Sequence, residues 1–200
     1  MTGDGYDAWA KAVNYVEPEN FCKLIGPDCA ADLSPANSKV LDVGAGTGIC
    51  GRLLKEKGFT DITAVDASES LLEKLKEQEA YNDVRLRLLG RGVDKFDDDL
   101  KGKFDLVTAG GVFMKGHLPP AGMDDIHAAL KRGGYFVTGM RSYYWVDGQE
   151  DGFKDKAEEL IAAGKFKLVH KGSCMRGVKG EIAIFEEMES TLLVFQKELA

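Results

Sequence analysis

The sequence lacks a long apolar run, a surplus of positive charge and any close cysteine pair. Its longest apolar stretches fall far short of the ~20 residues that a bilayer-spanning helix requires, so no transmembrane segment is expected. The opening MTGDGYDAWAKAVNY has neither a basic region nor an apolar core, and no signal peptide is expected from it. Lysine and arginine number 26 against 33 acidic residues, a net charge of −7. That balance argues against a nucleic-acid partner, because affinity for a phosphate backbone comes mostly from clustered positive charge. The four cysteines, Cys22, Cys29, Cys50 and Cys174, form no CxxC pair, and no histidine stands at metal-ligand spacing from them. Reduced thiols in a cytoplasmic protein are expected, with no metal site.

What is present fits one soluble domain. The chain has 200 residues, 44% hydrophobic and 30% charged. No repeat, low-complexity tract or linker interrupts it. Residues 1–36 are expected to form a helical cap, since Tyr6, Trp9 and Val13 share one helix face, and residues 37–200 a core. From residue 39 short apolar runs alternate with amphipathic stretches. Strands are predicted at Lys39 to Val43, Ile62 to Val65, Val84 to Leu89, Phe104 to Ala109, Tyr135 to Met140, Phe166 to His170 and Leu192 to Gln196. Helices are predicted at Ile49 to Lys57 with Gly58 as its stop, after Ser68 as an N-cap, at Met123 to Leu130, and at Phe153 to Ala163. Gly133-Gly134 is expected to turn the chain into the fifth strand. Alternating strands and helices imply parallel pairing, hence an α/β sandwich. No crossover helix is legible between Gly172 and Thr191, so the last strand should enter antiparallel.

The sharpest local signal is VLDVGAGTG, residues 40–48. Glycines at alternate positions follow a buried strand and open a helix. Such a turn lets a ligand approach the backbone, and the helix start offers free N–H groups. No lysine follows the glycines, so a P-loop is excluded. A dinucleotide fingerprint fails from Gly44 but matches as GTGICG from Gly46. Asp66 lies 22 residues after Gly44 and 20 after Gly46, where a carboxylate grips ribose hydroxyls. Asp42 discriminates between ligands. A second carboxylate repels a pyrophosphate but favours a cationic nucleoside such as S-adenosylmethionine. A hydrogen-bonded strand-end carboxylate with no ligand role is the competing reading of Asp42.

These residues resemble the class I S-adenosylmethionine-dependent methyltransferases. VLDVGAGTG is similar to that family's first motif, TAVDAS (residues 63–68) to its second, KFDLVTAGGVF (residues 103–113) to its fourth-strand motif, and LKRGGYFV (residues 130–137) to the turn and strand that follow. Within the family, YDAWA at residues 6–10 is similar to a segment of the methyltransferase-like proteins named after the Williams–Beuren chromosomal region. The resemblance implies a Rossmann-like three-layer α/β/α sandwich, with a seven-stranded mostly parallel sheet whose last strand is antiparallel. It implies S-adenosylmethionine as cofactor and S-adenosylhomocysteine as product. Transfer to an unidentified small-molecule acceptor is the leading expectation, with no membrane and no obligate protein partner expected. Carried over, Gly44, Ala45, Gly46 and Gly48 face the methionine part and Asp42 its ammonium. Asp66 and Ala67 hold ribose and adenine, Gly90 and Arg91 the adenine edge, and Ala109 and Gly110 close the site. Tyr6 and Trp9 join it from the cap.

The chain departs from the pattern in places. Gly90-Arg91 stands where many members carry an acidic residue, and Val13-Asn14 where a second Tyr-Asp belongs. The fourth-strand motif TAGGVF lacks the pattern of enzymes that methylate base or glutamine amino groups. His117 is placed where a general base for a hydroxyl acceptor could act. Arg141, Tyr143 and Tyr144 follow the fifth strand at the edge where substrates bind, with Trp145 beside them; packing of the sheet end is the other reading of the aromatics. Asp97-Asp98-Asp99 reads as a solvated loop. A nicotinamide-dinucleotide oxidoreductase and a non-catalytic cofactor-binding module remain the alternatives.

Overall fold

The structure, a computed structural model, describes residues 3–26, 29–30, 33–177 and 188–199. Two helices come first, α1 (Gly3–Ala12) and α2 (Glu17–Lys23). Then follow β1 (Lys39–Val43), α3 (Ile49–Glu56), β2 (Asp61–Asp66), α4 (Glu69–Lys76) and β3 (Asp83–Leu86). The rest is β4 (Phe104–Gly110), α5 (Gly122–Ala129), β5 (Leu130–Arg141), α6 (Phe153–Ala162), β6 (Phe166–Met175) and β7 (Glu189–Lys197). These strands form a seven-stranded sheet in the order β3-β2-β1-β4-β5-β7-β6. Strands β1 to β5 pair parallel, and β7 lies antiparallel between β5 and β6.

The central strands are near-continuous hydrophobic runs because helices cover both faces. On one face, Phe113, Phe136, Phe153 and Phe195 pack under α5 and α6. On the other, Phe21 of α2 and Leu54 of α3 lie with Phe59 over Val40, Leu106 and Val137. Helix α1 adds a small satellite: Tyr6, Trp9, Ala10, Val13 and Tyr15 pack with Ile49. The predicted shared face of Tyr6, Trp9 and Val13 is therefore the packed one.

Four local expectations change. Ser68 precedes α4 but makes no side-chain cap; its backbone N–H donates to Asp66 Oδ1, and its hydroxyl meets Ser70 instead. β3 stops at Leu86, not Leu89, because β2 ends at Asp66 opposite it, and Leu88 is left 51% exposed. Gly133-Gly134 does not precede β5 but lies inside it. Phe104 pairs with Leu130 and Leu106 with Tyr135, so Lys131 to Gly134 fall opposite Asp105 alone. Lys131 Nζ closes on that aspartate at 2.8 Å. β6 runs on to Met175; as an edge strand it alternates half-buried and exposed residues, a weaker apolar signal than a central strand.

Chain order and space part company at β1. Its neighbours are β2 on one side and β4 on the other, so the crossovers leave in opposite directions and open a crevice beyond the carboxyl ends of both strands.

Candidate functional site

That crevice is occupied by the glycine turn between β1 and α3. Gly44 and Gly46 have φ of +65° and +58°, a region costly for residues with a Cβ. Gly44 is also hemmed in: a Cβ there would stand 2.6 Å from Val112 Cγ2. At Gly46 a Cβ would meet nothing nearer than the Gly44 carbonyl oxygen at 3.8 Å, so that side of the turn is open. Next in the turn, the Thr47 carbonyl accepts hydrogen bonds from Gln78 Nε2 at 2.8 Å and Arg52 Nη1 at 3.0 Å. The buried Thr47 hydroxyl has no partner among the described residues. A cleft opens here, bordered by Asp42, Gly44, Ala45, Gly46, Thr47, Ile49 and Cys50 of the β1–α3 segment, by Gly110, and by Tyr6, Tyr15, Pro18 and Phe21 of the cap.

Two aspartates shape it. At the end of β2, Asp66 Oδ2 accepts the Gly46 N–H at 2.9 Å and Oδ1 accepts the Ser68 N–H at 2.9 Å. Asp42, inside β1, is buried. Its oxygens accept the Tyr81 hydroxyl at 2.7 Å and the Thr108 hydroxyl at 2.9 Å. Burial lifts its pKa to about 6, and those hydrogen bonds, with one from Cys50, hold it from rising further. Tyr81 in turn accepts the Gly51 N–H at 3.1 Å, which ties Asp42 to the first turn of α3. Burial pushes the Tyr81 phenol far up, helped by the Asp42 charge, so it stays a donor.

The cap closes the cleft through a buried polar cluster. Tyr15 Oη donates to Glu17 Oε1 at 2.9 Å. Arg176 Nη1 and Ser190 Oγ both donate to Glu17 Oε2. The Arg176 guanidinium lies 5.0 Å from the centre of the Tyr15 ring. Glu17 is fully buried and Arg176 4% exposed. Burial raises the Tyr15 pKa well above its ordinary value, with Glu17 adding to the rise; Tyr6 is raised mainly by burial. Tyr6 and Trp9 stack in tilted fashion at 5.4 Å, and Trp9 meets Tyr15 at 5.7 Å.

A family model for a methyltransferase domain matches residues 16–170. The chain belongs to the class I S-adenosylmethionine-dependent methyltransferases. The chain is 31% identical over 144 residues to methyltransferase-like protein 27 of Homo sapiens, a match covering 68% of the chain and 56% of that protein. The chain spans about half the length of the curated relatives it matches. A TehB-like S-adenosylmethionine-dependent methyltransferase from Corynebacterium glutamicum superposes with a TM-score of 0.63 at 22% identity, over 98% of this chain and 95% of the other. A chain of the complex between the Haloferax volcanii Trm112 methyltransferase activator and a methyltransferase gives 0.66 at 14% identity, covering 98% of this chain and 95% of that one. These two establish the fold, a sandwich with the antiparallel last strand.

The methyltransferase pattern anticipated six cleft residues: Asp42, Gly44, Ala45, Gly46, Gly110 and Tyr6. Gly48 caps α3 with φ +81°, and Ala67 stands exposed beside Asp66. Trp9 supports Tyr6 and Tyr15 from behind the lining. Ala109 is fully buried and its carbonyl accepts the Thr138 hydroxyl at 2.6 Å, so of that pair Gly110 alone borders the cleft. Gly90 donates its N–H to Asp125 Oδ2 at 2.6 Å, and Arg91 is exposed. His117 is exposed in the loop after β4 and does not line the cleft. The substrate trio divides between the two faces of the sheet. Arg141 lies on the α2 face. Tyr144 packs on Phe153 of α6 at 5.4 Å, with Tyr143, 66% exposed, against it. Trp145 is buried beside Phe195 and belongs to the core.

Sequence reasoning missed Tyr15, Pro18, Phe21, Thr47, Ile49 and Cys50 in the lining. Tyr15 had a signal. The family's second tyrosine is absent at position 13, and a tyrosine stands two residues later. The Glu17–Arg176 pairing had none, because it joins residues 159 apart. The Asp97 to Asp99 run pairs with Arg87, Lys101 and Arg85, and no group of acidic, histidine or cysteine side chains among the described residues could hold a metal. None of the four cysteines is in a disulfide. No helix among the described residues is long and apolar enough to cross a membrane.

Proposed function

We propose that this chain transfers a methyl group from S-adenosylmethionine to a small-molecule acceptor, with the crevice between β1 and β4 as the cofactor site. The observation that carries the reading is the turn itself: an open Gly46 and a Thr47 hydroxyl without a partner among the described residues border one cleft, and Asp66, outside that lining, holds the Gly46 N–H from the end of β2. Each fits a nucleoside amino acid. The open face at Gly46 admits a ligand against the backbone. The Thr47 hydroxyl offers both a donor and acceptor positions to a ligand carboxylate or amine. Each Asp66 oxygen has one N–H partner, which leaves a lone pair on each for a vicinal diol.

Bound S-adenosylmethionine supplies an electrophilic methyl on a sulfonium, whose positive charge is dispersed during transfer. The chain's own task is to hold the acceptor in line and keep water out. Tyr6 and Tyr15, both held protonated, act as hydrogen-bond groups rather than bases. Asp42 supports a cationic ligand over a pyrophosphate, which weighs against the nicotinamide-dinucleotide alternative. A reducing, cytoplasmic setting accords with the absence of disulfides.

Thermal shift separates the readings, since a ligand that binds only the native state raises the melting temperature. Stabilisation by S-adenosylhomocysteine and not by NAD is the expected result; the reverse refutes the proposal. Labelled S-adenosylmethionine offered with an acceptor panel then tests turnover. Binding without turnover on any acceptor would favour a non-catalytic module.

A further inference from the structure

Two arginines on the α2 face of the sheet are not used by the cofactor site. In the β5–β7 pairing Arg141 stands opposite Ser190, and in the β6–β7 pairing Cys174 stands opposite the same Ser190. Directly opposed residues share a face, and so does the second residue along a strand. Arg141, Ser190, Cys174 and Arg176 therefore share one face, the one that Glu17 covers. Arg176 reaches the end of β4 as well: a Cβ on Gly111 would meet Tyr15 Oη at 2.7 Å and Arg176 Nη2 at 3.3 Å. Gly111 directly follows Gly110, which borders the cleft. The Arg176 guanidinium thus stands beside the end of β4, behind Tyr15, and Arg141 lies on the same face of the sheet.

Their hydrogen bonding is incomplete. Arg141 Nε and Arg176 Nε are each buried without a partner among the described residues. Glu17 neutralises Arg176. No described carboxylate pairs with Arg141, so among the described residues the group of three carries one positive charge without a counter-charge. A buried donor without an acceptor is costly, and a guanidinium edge matches a carboxylate in two parallel hydrogen bonds. Arg176 is locked by Glu17 and Tyr15, so its free edge is preorganised.

We infer that Arg141 and Arg176 form an anion subsite for the acceptor, and that the acceptor is a small molecule bearing a carboxylate. This rests on the methyltransferase reading above and adds the chemical class of the substrate. Arg141 supplies the unpaired charge, and Arg176 supplies a fixed donor edge beside the end of β4. Neither residue touches the proposed nucleoside site.

Calorimetry tests it on protein saturated with S-adenosylhomocysteine, using benzoate, phenylphosphonate and the neutral benzamide as probes. Saturation is measured first; a wild-type protein that fails to bind S-adenosylhomocysteine refutes the underlying reading, independently of the subsite. Benzoate is expected to bind at least tenfold tighter than benzamide. Arg141→Gln should weaken benzoate at least tenfold with S-adenosylhomocysteine affinity unchanged, and Arg141→Lys should recover part of the loss. Equal binding of benzoate and benzamide, no benzoate binding, or an Arg141→Gln protein with wild-type benzoate affinity overturns the inference. Phenylphosphonate binding more than tenfold tighter than benzoate overturns the carboxylate assignment. Because Arg141 is partly exposed, its variants do not depend on the survival of the buried Glu17–Arg176 pair.

Discussion

The carboxylate of Asp66 holds the backbone nitrogen of Gly46 at 2.9 Å, so the end of β2 fixes the turn that leaves β1. One side chain therefore shapes the turn and carries the sugar-binding role in the proposed function. Asp66→Ala removes an acceptor from two backbone N–H groups. It should lower stability by about 1–3 kcal/mol and weaken S-adenosylhomocysteine by at least ~1 kcal/mol, about fivefold. Urea melts and calorimetry measure the two losses; wild-type affinity in a folded Asp66→Ala protein would contradict the ribose role.

Gly44 and Gly46 look alike in sequence but should respond differently to alanine. Both incur the left-handed cost of about 1–2 kcal/mol. Gly44→Ala adds a clash with Val112 and should lose clearly more stability. Gly46→Ala places its methyl in open space, so it should fold with only the backbone cost and lose cofactor affinity by steric block. Gly46→Ala with unchanged affinity would show that the ligand does not lie against this turn.

Asp42 gives a pH signature. Its folded pKa of about 6 exceeds the ordinary 3.8, so between these values the folded state binds more protons than the unfolded one. Stability from this group is therefore present at low pH and is lost as pH rises from about 4 to about 6, by roughly 3 kcal/mol at most. Asp42→Asn should flatten that part of the stability-against-pH curve. The check is a series of urea melts across the window on both proteins; parallel curves would exclude Asp42 as the source.

Glu17→Ala leaves the Arg176 guanidinium buried without its counter-charge. A loss of about 3–5 kcal/mol is expected, as for other broken buried ion pairs. Replacing Glu17 and Arg176 together by apolar residues should cost less than Glu17→Ala alone. Chemical denaturation of the single and double variants decides it.

The strand-and-helix alternation was legible because the central strands are buried on both sides and the helices on one. Lys39–Val43 is found with the predicted bounds, and β2 and β4 within a residue, while β5 and β7 begin five and three residues before the predicted Tyr135 and Leu192. β3 and β6, at the edges, were misjudged in length because half their residues face solvent. The doubled glycine after α5 misled because glycine marks a turn and an irregular strand equally well. In the site, the glycine turn and Asp66 were visible as local spacing. Tyr81, Thr108, Glu17 and Arg176 were not, since their partners are set by strand order and cap docking rather than by neighbours in sequence.

The cap's anchor has a consequence for assembly. Glu17 is synthesised well before its partners Arg176 and Ser190, which lie 159 and 173 positions later. The glycine turn can form as soon as the early strands pair, while the roof over it must wait for the β6–β7 hairpin. A ribosome-bound chain that has not yet made that hairpin would present an open crevice, because the later β6–β7 pair is what seats the earlier cap helices.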